Sequence, residues 1–268
     1  MKAIINRHLF SENNIDSGSI TMHSTVVHKF SEPGEYLGKA VKGKEVVGQF
    51  RIIVGKRQDA AAGQQKSPAP PLSPTQVHVD LRQLEAPAAR RLESSQVIPN
   101  RFTIGADGYA VFKVSTGAGG YAVEVYKAGE KEGVKVFDSR QLDGDDLLYV
   151  LVLRPGTYSV VNAITNARAE LKVAYPEKGM PRNLEPIRVE CGKSFAPERL
   201  DVKPMQGIVF SFKAASRIKI DLVRPEDRPA VASVKDTAQQ AQSMGANVKP
   251  SGKKVLRRIR ITPRSASL

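Results

Sequence analysis

The chain has little sulfur and few aromatic rings. It contains one cysteine, Cys191, and no tryptophan in 268 residues. A single thiol excludes a disulfide framework within the chain and a zinc site made of several thiolates. Aromatic residues amount to 6%, which argues against recognition of bases or sugars mainly by stacking. The four histidines all lie at or before His78, so the remainder of the chain offers no imidazole for metal or acid–base chemistry.

Sequence motifs of catalysis are missing as well. The glycine-rich stretch Ser115–Tyr121 lacks the Gly-Lys-Ser/Thr ending of a phosphate-binding loop, and no Gly-X-Ser-X-Gly motif of a serine hydrolase occurs. No neighbour of Cys191 in the sequence would activate its thiol. We therefore expect a protein that is not an enzyme and that uses no cofactor.

Candidate metal ligands are few. His23 and His28 are expected at the surface or at a sheet edge, and His78 on the solvent side of a strand. Asp143–Asp146 is the densest acidic cluster, but an all-oxygen calcium site usually needs about five or more protein ligands in a recognisable spacing. A hairpin turn explains aspartate and glycine there equally well. No metal site is predicted.

Positive charge, by contrast, is abundant. Lysine and arginine total 41 against 27 acidic residues, which gives a formal net charge of +14. Such a surplus favours anionic partners such as nucleic acid, lipid headgroups, acidic glycans or an acidic protein. We predict anion or partner binding by two basic stretches, a C-terminal tail and the first hairpin: Lys253, Lys254, Arg257, Arg258, Arg260 and Arg264, and Lys39, Lys42 and Lys44.

The basic tail also has a simpler explanation. Terminal runs of charge are often solvated tails, although Val255, Ile259 and Ile261 alternate with basic residues as in a strand that adds to a sheet edge. If nucleic acid is bound, the contacts would be to phosphates and independent of base sequence.

Long apolar segments are absent from the sequence. No run approaches the roughly 20 apolar residues of a membrane span, and the first ten residues are too polar for a secretory signal. The expectation is a chain without a transmembrane segment, located in the cytoplasm or in a particle assembled there.

The middle of the chain has the pattern of β-strands. Short runs rich in valine, tyrosine and isoleucine recur about every ten residues between glycine and aspartate turns, as in an antiparallel sandwich. The run Leu147–Leu153 is apolar throughout, so we expect a central strand covered on both faces. The predicted strands are 110–114, 121–126, 134–137, 147–153, 157–162 and 168–174.

One turn signal occurs twice. Phe30–Tyr36 and Leu153–Tyr158 both contain Pro-Gly followed two residues later by tyrosine, and each precedes a strand that closes on valine. Two interpretations stay open, a true internal repeat and two independent hairpins with a favourable turn.

Two stretches resemble cupredoxins, the Greek-key sandwich family that often carries copper. His28–Val54 is similar to the closing hairpin of that family, with its Phe, Pro-Gly, Tyr and final valine, and 187–212 is similar to its opening strands. The resemblance implies a β-sandwich. Type 1 copper requires a thiolate and two imidazoles, but the loop between Tyr36 and Gly48 contains no Cys, His or Met. Copper is not expected.

The order of these two stretches is unusual, because the closing-type hairpin precedes the opening-type strands. Either a sandwich forms from both ends of the chain around an inserted domain, or two fragments are each completed by neighbouring strands or another subunit. The sequence leaves both interpretations open.

The complete prediction is an all-β protein of tandem Greek-key β-sandwiches, immunoglobulin-like and cupredoxin-like. Its parts are an N-terminal hairpin region (1–58), a Pro-rich linker and connector (59–94), an immunoglobulin-like sandwich (95–178), cupredoxin-like strands (185–225) and a flexible connector with a basic tail (226–268). We expect a non-catalytic structural or adaptor subunit of a particle, secretion apparatus or filament, oligomeric with other protein subunits through sandwich edges and the tail. The alternative is a binding module for an anionic polymer.

Overall fold

The computed structural model describes residues 14–56, 75–85, 100–129, 133–175 and 184–226. Contacts between Cα atoms divide the chain into two units, Met1–Pro229 and Ala230–Leu268. Every described residue belongs to the first unit. The predicted tail residues Lys253 to Arg264, and the prediction of a flexible connector, fall outside the described residues.

The described chain is built from strands and one short helix. The helix, α1, spans Leu81–Leu84 and begins after the capping carboxylate of Asp80. The strands are β1 Asn14–Asp16, β2 Ser24–Lys29, β3 Gly34–Lys42, β4 Glu45–Val54, β5 Gln76–Asp80, β6 Asn100–Ile104, β7 Tyr109–Lys113, β8 Tyr121–Lys127, β9 Val134–Asp138, β10 Asp146–Leu151, β11 Gly156–Asn162, β12 Arg168–Val173, β13 Ile187–Cys191, β14 Phe195–Ala196, β15 Arg199–Val202, β16 Gly207–Phe212 and β17 Ile218–Pro225.

These strands form three sheets. The seven-stranded sheet has the order β14-β13-β16-β10-β2-β7-β5. The β3 sheet has the order β6-β4-β3-β8-β9, and the β11 sheet has the order β1-β17-β11-β12-β15. One hydrophobic core contains side chains from all three sheets, so the architecture is an all-β, sandwich-like fold. The prediction of an all-β protein is confirmed.

Alternation along the strands explains how each sheet meets the core. In β12 every second residue is buried, namely Ala169, Leu171 and Val173, because successive side chains of a strand point to opposite faces. The largest core side chains are rings: Phe50 of β4 and Phe112 of β7 are fully buried, with ring centres 5.8 Å apart. This contact joins the β3 sheet to the seven-stranded sheet.

The two halves of the chain repeat one pattern of strand pairing. We define the first half as β1–β8 and the second half as β9–β17. Every strand pair within the first half has a counterpart of the same direction in the second. Three correspondences are antiparallel: β3·β4 matches β11·β12, β3·β8 matches β11·β17, and β2·β7 matches β10·β16. Two are parallel: β4·β6 matches β12·β15, and β5·β7 matches β13·β16. Of the two interpretations of the Pro-Gly-X-Tyr signal, the pairing therefore supports repetition.

The repeated turn has the same geometry in both halves. Gly34 and Gly156 have φ angles of 149° and 150°, which glycine adopts readily and other residues rarely do. The Tyr36 hydroxyl donates to the carbonyl oxygen of Glu32 at 2.7 Å, and the Tyr158 hydroxyl donates to that of Arg154 at 2.7 Å. Each tyrosine thus closes its own turn.

One strand of each half pairs with a strand of the other half. β9 of the second half pairs with β8 of the first, and β1 of the first half pairs with β17 of the second. A serine follows each of these strands and accepts a hydrogen bond from a backbone amide of the other half. The Ser17 hydroxyl accepts from the Ile218 amide at 3.0 Å, and the Ser139 hydroxyl accepts from the Val123 amide at 2.8 Å. The exchange ties both halves together through buried hydrogen bonds.

The halves also share the seven-stranded sheet. β2 and β10 run antiparallel at its centre, with Val26 opposite Leu148. Counting from Pro-Gly, these two residues occupy the same position in their halves, so an approximate two-fold axis passes through this residue pair. One continuous sheet therefore contains strands of both halves.

The six strands predicted between 110 and 174 are confirmed, with ends shifted by a residue or two. The prediction that Leu147–Leu153 is covered on both faces is wrong. β10 is central, yet Leu147 and Tyr149 are 36% and 37% exposed, because among the described residues only the inner face of this sheet meets the core. The described part of the predicted linker 59–94 contains β5 and α1.

The strands of the predicted 95–178 sandwich pair beyond these limits, β7 with β2 and β10 with β16. The stretches 28–54 and 187–212 lie in different halves, and strands of each pair with strands outside these limits. No helix of the described ranges has the length and apolar character needed to cross a membrane.

Candidate interaction surfaces

The first candidate is a groove beside His28. Its Nδ1 lies 2.7 Å from Oδ1 of Asp146, and the ring lies edge-on to Phe30 at 4.7 Å. Val136 and Asp143–Asp146 line the groove with it. The expectation that His23 and His28 are surface residues is wrong: His23 is 5% exposed, and the His28 side chain is 12% exposed. The alternation of β2 turns His28 inward, where a carboxylate satisfies it.

The acidic cluster in this groove is a turn. The Asp143 amide donates to Oδ2 of Asp146 at 2.8 Å, and the Asp146 amide donates to the Asp143 carbonyl oxygen at 2.7 Å. In the described ranges no group of three or more His, Cys, Asp or Glu residues is arranged to hold a metal ion. His78 is exposed on β5, as predicted.

The second candidate is the basic hairpin of β3 and β4. Lys39 and Lys42 lie on β3, and Lys44 lies in the turn before β4. The Lys39 and Lys42 ammonium groups each lie 4.8 Å from the ring centre of a tyrosine, Tyr126 and Tyr121 respectively. These cation–π contacts fix both lysines at the surface of the β3 sheet. Binding of an anionic partner by these lysines stays a prediction.

One row of side chains crosses the outer face of the β3 sheet. The strand register places Arg101, Arg51, Leu37, Tyr126 and Lys135 next to one another. Acidic side chains lie among them: Glu35 is 2.7 Å from Arg51, and Glu124 is 3.7 Å from Lys135. The face carries both signs of charge, with a local excess of cations.

A third cluster surrounds Tyr121 at the end of α1. The Tyr121 hydroxyl donates to Oε2 of Glu85 at 2.6 Å, and Arg82 forms an ion pair with the same carboxylate. The hydrogen bond from Tyr121 holds the pKa of Glu85 below its usual value, with smaller contributions from Arg82 and Lys42. The cluster anchors α1 to β8.

The only thiol of the chain is sealed in the core. Cys191 lies on β13 and is 1% exposed, and burial raises its pKa to about 12 from 9.0. Nucleophilic chemistry requires the thiolate, which such burial suppresses.

We predict that Cys191 in the native protein resists a thiol-specific disulfide reagent at pH 8. The pKa difference alone reduces the thiolate fraction about 1,000-fold relative to the unfolded chain. Colorimetric labelling with and without denaturant measures the effect. Stoichiometric labelling of the native protein within minutes would contradict it.

A further candidate is a group of exposed apolar side chains on the outer face of the seven-stranded sheet. Leu147 and Tyr149 of β10 and Tyr109 of β7 are 36%, 37% and 39% exposed. Val27, Val111 and Val209 lie between and beside them in the strand register. Of these residues, Leu147, Tyr149 and Tyr109 are more than a third exposed, whereas Val111 is only 8% exposed. We name this outer face the open face.

Sequence reasoning missed both the open face and the exchanged strands. The open face was missed because an uninterrupted apolar run also fits a strand covered on both sides. The exchanged strands had a signal, since Asp16-Ser17 precedes Pro33-Gly34 by the same spacing as Asp138-Ser139 precedes Pro155-Gly156. These four identical residues, an Asp-Ser pair and a Pro-Gly pair at the same separation in both halves, become visible only when the two turns are aligned.

No protein-family model, curated protein or solved structure matches this chain.

Proposed function

We propose that the protein is a non-catalytic structural or adaptor subunit of a larger protein assembly. The observation that supports this proposal is the open face of the seven-stranded sheet, where Leu147 and Tyr149 of the central strand β10 and Tyr109 of β7 are each more than a third exposed. Contiguous exposed apolar surface with a polar rim is characteristic of protein–protein interfaces. Edge strands and the basic tail would provide further contacts.

The two halves fit this role as rigid modules. We propose that each is a Greek-key sandwich, immunoglobulin-like or cupredoxin-like in type, that presents its surface without a bound metal. The reciprocal pairing of β1 with β17 and of β9 with β8 gives the pair a fixed relative orientation. A fixed orientation lets one face contribute to a regular assembly without the entropic cost of ordering mobile parts on binding.

The test is the native mass of the complexes that contain the chain in extracts of its source cells. Gel filtration with detection of a tagged chain should show complexes well above 29.2 kDa. Leu147→Lys places a charge at the centre of the open face and should shift the chain to lower mass. The matched control is Leu37→Lys, which changes a leucine of similar exposure, 40%, on the β3 sheet. A compact monomer in the extract contradicts the proposal.

The second candidate function is binding of an anionic polymer, favoured by the excess of cations on the β3 sheet. Lys39, Lys42 and Lys44 would contact phosphates or sulfates together with the basic tail. Truncation after Gly252 separates the two functions. Loss of salt-sensitive binding to a polyanion column with unchanged native mass supports the polymer, whereas loss of the large complexes supports the assembly.

A further inference from the structure

We draw no further inference here: the strongest candidate, the group of exposed apolar side chains Leu147, Tyr149 and Tyr109 on the open face of the seven-stranded sheet, carries nothing beyond the proposed function, because nothing in the described part of the chain shows what covers it.

Discussion

Phe112→Ala is expected to destabilise the protein by about 3–5 kcal/mol. Phe112 is fully buried on β7, its ring stacked on Phe137 at 5.5 Å and 5.8 Å from Phe50. Truncation removes apolar burial and leaves a cavity that Phe50, itself fully buried, has little freedom to fill. Because β9 supplies Phe137, the cavity opens where strands of both halves meet. Urea or guanidinium unfolding monitored by circular dichroism measures the loss.

Phe210→Ala serves as the internal comparison. Phe210 is fully buried and occupies the equivalent position in the second half, opposite Leu148 as Phe112 is opposite Val26. A loss of the same order is expected. Val223→Ala, at a side chain that is 67% exposed, should change the unfolding free energy by less than about 0.5 kcal/mol. A loss below about 1 kcal/mol for Phe112→Ala would show that its surroundings are not close-packed.

Asn162→Ala is expected to cost about 2–4 kcal/mol, because it deprives one buried hydroxyl and two partly buried amides of their partner. Asn162 is fully buried at the end of β11. Its Oδ1 accepts from the Ile164 amide at 3.1 Å and the Arg217 amide at 3.2 Å, and its Nδ2 donates to the Ser216 hydroxyl at 2.9 Å. Alanine makes none of these bonds. Thermal or denaturant unfolding gives the cost.

The first half shows why this asparagine is specific to the second. The equivalent residue is Ala40, also buried, on a β3 strand that continues to Lys42 and returns through a two-residue turn. The second half has a longer turn after β11, whose amides Asn162 satisfies. As a control, Asn100→Ala changes an exposed asparagine on β6 and should have little effect. Equal stability losses in both variants would refute the role of the buried hydrogen bonds.

The open face connects stability to function. An antiparallel β-sheet can form a hydrophobic core with one face only, and its other face then remains available for contact with another molecule. Here the available face belongs to β10 and β2, the strands that join the halves. Substitutions there should change association and leave the unfolding free energy nearly unchanged, the opposite of the pattern expected for Phe112 and Asn162.

Local patterns in the sequence were informative wherever a strand was long and bounded by turns. Tyr121–Lys127 and Arg168–Val173 were recognisable from alternation and from their flanking glycine and proline residues. β1 was not recognisable, since three residues contain no period and its partner, β17, lies near the other end of the described chain. His28 was misplaced because its satisfying carboxylate, Asp146, is remote in sequence.

The sequence by itself determined the all-β class, most strand positions in the middle of the chain and the repeated Pro-Gly-X-Tyr turn, because strand period and turn chemistry are local properties. Only the tertiary structure decided that the halves exchange β1 and β9, that β2 and β10 join the two halves in one sheet, and that Leu147 and Tyr149 of β10 remain exposed. These features depend on which strands are neighbours, and pairing between residues far apart in the chain leaves no periodic trace in the sequence.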